Sequence, residues 1–181
     1  AVNPSYAGLL GTGRINAAAS LLTDDGIAPN AIDDLGFTDL KFNKATLLWT
    51  APIDDDNGSA ATYELRYSTD PINEGNFESA SLLSYLSASI AGTMEEYIAE
   101  GLVQETQYYI AIRGIDFFGN SSSISNVIAF ITPSPPVIGV DPTSLTSDLL
   151  TGESETQIIT ISNTGDSDLD YIKGDVAPAA S

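Results

Sequence analysis

Histidine and cysteine are both missing from this 181-residue chain, and only six residues are basic against 25 that are acidic. Without an imidazole there is no general base of the kind that Ser-His-Asp or Cys-His hydrolysis needs. Without a thiol there is neither a disulfide framework nor a thiolate nucleophile. The formal net charge of −19 and a pI near 4.1 set the chain against phosphate backbones and anionic lipid surfaces, so neither nucleic acid nor a membrane is expected as a partner. No run approaches the ~18 consecutive apolar residues that span a bilayer. The first twenty residues also lack the basic start and apolar run of an export signal.

What is present suits a core built from short strands. Hydrophobic residues make up 43% of the chain, enough for a globular interior. Gly, Ser, Thr, Asn and Asp interrupt every apolar stretch, which favours strands over long helices. The acids are dispersed among apolar and aromatic residues, so they read as a solvated surface rather than a disordered tail.

Three segments emerge. In residues 1–22, Ile15, Ala18, Ala19 and Leu22 share one helical face after the Gly11–Gly13 turn, predicting a short helix that needs something to pack on. Residues 23–30, "TDDGIAPN", read as a linker. Residues 31–132 carry the clearest alternation. Ala45, Leu47 and Trp49 face one way in "ATLLWTAP", and Tyr63, Leu65 and Tyr67 point inward in "ATYELRYSTD", with Thr62, Glu64, Arg66 and Ser68 outward. Tyr108, Ile110 and Ile112 share a face in "TQYYIAIRGID", and "SISNVIAFIT" supplies a last strand. Turn clusters at 54–59, 68–76 and 116–123 separate them, as in an antiparallel β-sandwich. "PSPPV" (133–137) is a stiff linker, residues 138–175 alternate again as a partial second β module, and 176–181 form a tail. The expected fold class is therefore all-β, with a short N-terminal helix in front and an incomplete β module behind.

Each segment resembles a known family. "YAGLLGTGRINAAASLL" is similar to the C-terminal end of subtilisin-like serine protease catalytic domains, where a Gly-x-Gly and then a hydrophobic residue, Asn or Asp, and Ala open the last helix. Residues 31–132 resemble a fibronectin type III module: Trp49 takes the place of its core tryptophan, and "YELRYS" matches its next strand. Tyr108, six residues after Leu102, takes the tyrosine-corner position, whose hydroxyl bonds backbone a few residues upstream. Trp49, Tyr63, Tyr67, Leu102 and Tyr108 are thus the expected structural residues. The integrin-type Arg-Gly-Asp loop does not carry over, because Ile115 interrupts "IRGID". "VDPTSL" through "SNTGDSDLDY" is similar to the start of a bacterial ASPM/SPD-2/Hydin-like Ig module, with only half the strands of a full sandwich.

Few residues suggest chemistry. Asp54, Asp55 and Asp56 crowd "IDDDNGS", but with Gly58 at position six of a calcium loop, Ile53 falls at position one and the register fails. Turn chemistry accounts for that stretch. Asp166, Asp168 and Asp170 alternate in "GDSDLD" and would suit a shared cation, though solvated acids are the commoner outcome. Calcium is the one cofactor these acids would fit, and no motif requires it. Glu95, Glu96 and Glu100 read as a solvated strand face rather than a glycosidase pair. Tyr6, Tyr85, Tyr97, Tyr109, Phe117, Phe118 and Tyr171 exceed the needs of one core; packing between domains is their usual role, and gripping a sugar or protein is the alternative.

No catalytic residue is expected within the chain. The resemblances imply a non-catalytic accessory or spacer region of an extracellular subtilisin-like endopeptidase. Its partners would be the catalytic domain and a protein or polysaccharide substrate. The alternative is a stand-alone extracellular adhesion or binding sandwich.

Overall fold

The computed structural model describes residue 24 and residues 26–54 and 58–170. The helix expected in residues 1–22, the tail, and Tyr6, Asp55, Asp56 and Tyr171 lie outside the described residues. Strands β1 (Gly36–Lys41), β2 (Lys44–Thr50), β3 (Thr62–Ser68), β4 (Ser81–Ser87), β5 (Met94–Glu100), β6 (Gln107–Ile115) and β7 (Ile128–Ile131) come first, followed by β8 (Ile138–Asp141) and β9 (Thr160–Asn163). The first seven form two antiparallel sheets, ordered β1-β2-β5 and β4-β3-β6-β7, while β8 and β9 pair with each other. The architecture is all-β.

Period-two alternation builds the core. Ala45, Leu47 and Trp49 of β2 are buried against Tyr63 and Leu65 of β3 and Tyr108, Ile110 and Ile112 of β6. The Trp49 and Tyr63 rings meet edge to face, centroids 5.3 Å apart. Burial first, and then the carboxylate of Glu95, holds the Tyr63 phenol well above its ordinary pKa. Tyr67 is half-buried at the core's margin, its ring 5.9 Å from that of Tyr108.

The outward assignment of Glu64 is corrected by the structure: Glu64 is 1% exposed. The cause is the connection from β3 to β4, which folds back over the outer face of the four-stranded sheet. Asn73 and Asn76 fix this connection locally, with Asn73 N–H donating to Asn76 Oδ1 and Gly75 N–H to Asn73 Oδ1. The 3-10 turn Phe77–Ser79 then seats Phe77 beside Ile72 and Ala111 in a second small core.

The last turn of the sandwich replaces missing ladder bonds with hydroxyls. β7 spans only the first part of β6. Beyond it, Ser125 Oγ accepts from Ile112 N–H and Ser122 Oγ from Gly114 N–H. The run of serines in "GNSSSISN" thus satisfies backbone donors that an absent strand would otherwise take.

Residues 26–35, expected as a linker as far as residue 30, are stitched along the sandwich. Asn30 N–H donates to Ile53 O, Thr50 N–H to Asp34 Oδ1, and the Asn126 side chain clasps both the N–H and the C=O of Leu35. Ile32 and Leu35 join the core. Residues 133–137 are pinned at the other end. Ser134 Oγ donates to Asp166 Oδ2, Ser167 Oγ donates to Ser134 O, and Val137 N–H donates to Asn163 Oδ1.

Candidate functional site

Two places concentrate polar side chains. The first lies on the covered outer face of the four-stranded sheet. Antiparallel pairing sets Glu64 of β3 opposite Arg113 of β6, with Arg66 two residues along β3 on the same face. Each Glu64 oxygen takes one guanidinium: Oε1 accepts from Arg66 Nε at 2.6 Å and Oε2 from Arg113 Nε at 2.8 Å. Glu78 pairs with both arginines from above, and the guanidinium carbons lie 5.5 and 5.0 Å from the Phe77 ring centroid. Arg66 also donates to the carbonyls of Glu78 and Ala80. Burial pulls the Arg113 pKa down, but Glu64 and Glu78 outweigh it and leave Arg113 above its ordinary value. Two acids and two bases cancel, and Arg66 Nε, Nη1 and Nη2 and Arg113 Nε and Nη2 donate to partners in or beside the cluster. Its chemistry is that of a latch that holds the β3–β4 connection on the sheet.

The second place is the end of the sandwich where residues 26–35 arrive. Pro29, Pro52 and Ala60 converge on Gly114, where a Cβ would stand 3.5 Å from each. A cleft of about 490 Å³ opens beside them, lined by Asn30, Asp33, Asp34, Pro52, Ile53 and Gly92. Asp33 and Asp34 are both exposed, and Asp34 Oδ1 accepts from Thr50 N–H.

The turn between β6 and β7 stands at the same end. Asp116 is 3% exposed, and its Oδ1 accepts from the backbone N–H groups of Phe118, Gly119 and Asn120, while its Oδ2 accepts from Asn120 Nδ2. Burial alone would raise the Asp116 pKa; those donors, Asn120 foremost, outweigh it and hold the carboxyl below its ordinary value. Gly119 permits the closure with φ +99°. The turn presents Phe117, 74% exposed, edge to face with Phe118.

The remaining candidates are dispersed. Asp54 is buried. Asp166 accepts from Ser134, and Asp168 and Asp170 follow it in the connection after β9. Among the described residues, no group of three or more acids is close enough to hold a metal ion. Glu96 and Glu100 are exposed on β5, whereas Glu95 turns inward, accepting from Tyr63 Oη at 3.3 Å and Ser89 N–H at 2.6 Å. Tyr97 packs on the main core and Tyr109 on the second one. Tyr85 is exposed and donates to Glu64. Leu102 is buried, and Tyr108 Oη accepts from Val103 N–H at 3.0 Å. The latch was not foreseen from sequence, although arginines spaced to meet one glutamate across neighbouring strands were its available signal.

No family model matches the chain. No curated protein matches it either. Among solved structures it is similar to the sixth fibronectin type III domain of human fibronectin type III domain containing protein 3, at 22% identity over 66% of this chain and 92% of that one, with a TM-score of 0.39. An Fn3-like protein from Clostridium thermocellum matches at 21% identity over 57% of this chain and 92% of that one, TM-score 0.39. The FN1–FN3 domains of chicken CNTN1 match at 20% identity over 58% of this chain but 33% of theirs, TM-score 0.46. These likenesses concern the fold alone. The strand order places residues 36–131 among fibronectin type III and Ig-like antiparallel sandwiches. Among the described residues, no helix is long and apolar enough to cross a membrane.

Proposed function

We propose that this chain is a non-catalytic spacer of an extracellular subtilisin-like serine endopeptidase, holding neighbouring parts of the protein at fixed distance and orientation. The observation that carries the spacer role is that both connections of the sandwich are fastened. Residues 30–35 are bonded to the end of β2 and the residues after it (Thr50, Ile53) and to Asn126 ahead of β7, and residues 133–137 are bonded to the turn after β9. Pinned connections fix geometry where free linkers would leave relative motion. The protease assignment rests on the resemblance of "YAGLLGTGRINAAASLL", and on that reading bond cleavage would belong to other residues of the parent protein.

The coding sequence ahead of Ala1 tests this directly. A nucleophile segment resembling "GTSMAAP" supports the reading, and an unrelated domain there overturns the protease part. The purified chain should leave casein intact. The alternative, a stand-alone binding sandwich, draws on the exposed Phe117, and retention of the chain by insoluble polysaccharide or protein fibres would favour it.

A further inference from the structure

We infer that two copies of this chain associate through β4, pairing edge to edge and antiparallel. β1 and β5 edge one sheet of the sandwich, and β4 and β7 edge the other. An exposed strand edge is an open template for another strand, and folded proteins usually blunt it with charge, proline, a bulge or brevity. β1 is bulged and ends at Lys41, β5 carries Glu95, Glu96 and Glu100, and β7 is four residues long and runs to Pro133. β4 is seven residues long, and residues 79–94 contain neither a charge nor a proline. Among the described residues, no strand lies on its outer side.

The occupant follows from the pattern of β4 itself. Its register against β3 slips at Leu83, so that Tyr85 pairs with Glu64 and Leu82 with Arg66. Glu64 and Arg66 share the outer face of the sheet. The slip therefore brings Leu82 and Tyr85 to that face although they are three residues apart. They are 46% and 59% exposed. An antiparallel pair of β4 strands centred between Leu83 and Ser84 sets Leu82 of each copy opposite Tyr85 of the other. This arrangement is two-fold symmetric, covers both edges at once and forms two aliphatic–aromatic cross-strand contacts. Charge agrees. Copies with a net charge of −19 repel each other, but β4 is neutral and the Glu64, Arg66, Glu78 and Arg113 cluster beside it cancels. One strand edge is a small interface, so the dimer is weak and strengthens with salt. This pairing does not depend on the protease reading.

Sedimentation equilibrium of the full chain, across roughly micromolar to millimolar protein, reads the association. At about 1 M salt, where the Debye length is about 3 Å, the mass should climb from the 19.0 kDa of one chain toward twice that value. At about 0.01 M salt it should stay near that of one chain. Leu82→Lys/Ser87→Lys should weaken the dimer by roughly tenfold or more, although it reduces the net negative charge. Met94→Lys/Ile98→Lys makes the same charge change at exposed positions of β5 and should leave the dimer intact. A single chain at every concentration and salt overturns the inference, as does equal dimerisation of the two variants. Should the β4 variant fail to fold, judged by Trp49 fluorescence, hydrogen exchange of the unaltered chain replaces it. The amides of Ser81–Ser87 should then gain protection as protein concentration rises, while those of Met94–Glu100 do not. Protection gained by β5, or by β8 and β9, with β4 unchanged overturns the pairing in favour of another face.

Discussion

The Tyr108 hydroxyl accepts a hydrogen bond from the N–H of Val103, five residues upstream, at 3.0 Å and so closes the corner between β5 and β6. Thr132 closes it from the other side, its Oγ1 donating to Val103 O and accepting from Thr106 N–H. Tyr108→Phe keeps the ring and removes one bond. It should lower stability by about 1 kcal/mol in urea unfolding, the usual net worth of such a bond. A fully retained midpoint would mean that Thr132 alone holds the corner.

Glu64 is buried between two guanidiniums, and a buried pair is costly to break by halves. Glu64→Leu should destabilise by roughly 3–5 kcal/mol, because Arg66 and Arg113 then lack their common partner. Replacing all three by apolar residues should recover part of that loss. A triple variant weaker than the single one, by equilibrium unfolding, would contradict the latch.

Asp116 makes the sandwich sensitive to acid. Its carboxyl titrates below the ordinary value of about 3.9 that it regains on unfolding. The contribution is therefore whole above that value and disappears as pH falls through Asp116's own lower pKa, because the unfolded chain takes up the proton first. Asp116→Asn should flatten the decline of stability between about pH 5 and pH 2. Parallel curves for the two proteins would remove Asp116 from the account.

Trp49 is 1% exposed and central to the core. Trp49→Ala should cost roughly 3–5 kcal/mol. Near-native thermal melting of this variant would be incompatible with the packing described.

The strands that were legible are those whose inward face carries an apolar residue at every second position. Ala45, Leu47 and Trp49 alternate cleanly because β2 is central in its sheet, and the β6 set of Tyr108, Ile110 and Ile112 does so for the same reason. β1 and β4 were not legible: both are edge strands. β1 is broken by a bulge with Asp39 at φ +44°, and most of β4 is exposed or half-buried. Glu64 was misread because alternation describes one sheet and knows nothing of a distant segment. Phe77 and the β3–β4 connection cover that face from residues 69–80, and only the folded chain brings them there. The fastening of residues 26–35 was hidden likewise, since its partners Thr50, Ile53 and Asn126 are remote in sequence.

The rigidity of the spacer can be measured as one distance. With no native thiol to interfere, spin labels at Thr38→Cys on β1 and Ser162→Cys on β9 report the distance between the second sheet and the sandwich. Pulsed electron resonance should give a single narrow distance distribution that broadens in Ser134→Ala, which removes the Ser134–Asp166 hydrogen bond. A broad distribution in the otherwise unaltered chain, unchanged by Ser134→Ala, would contradict the spacer.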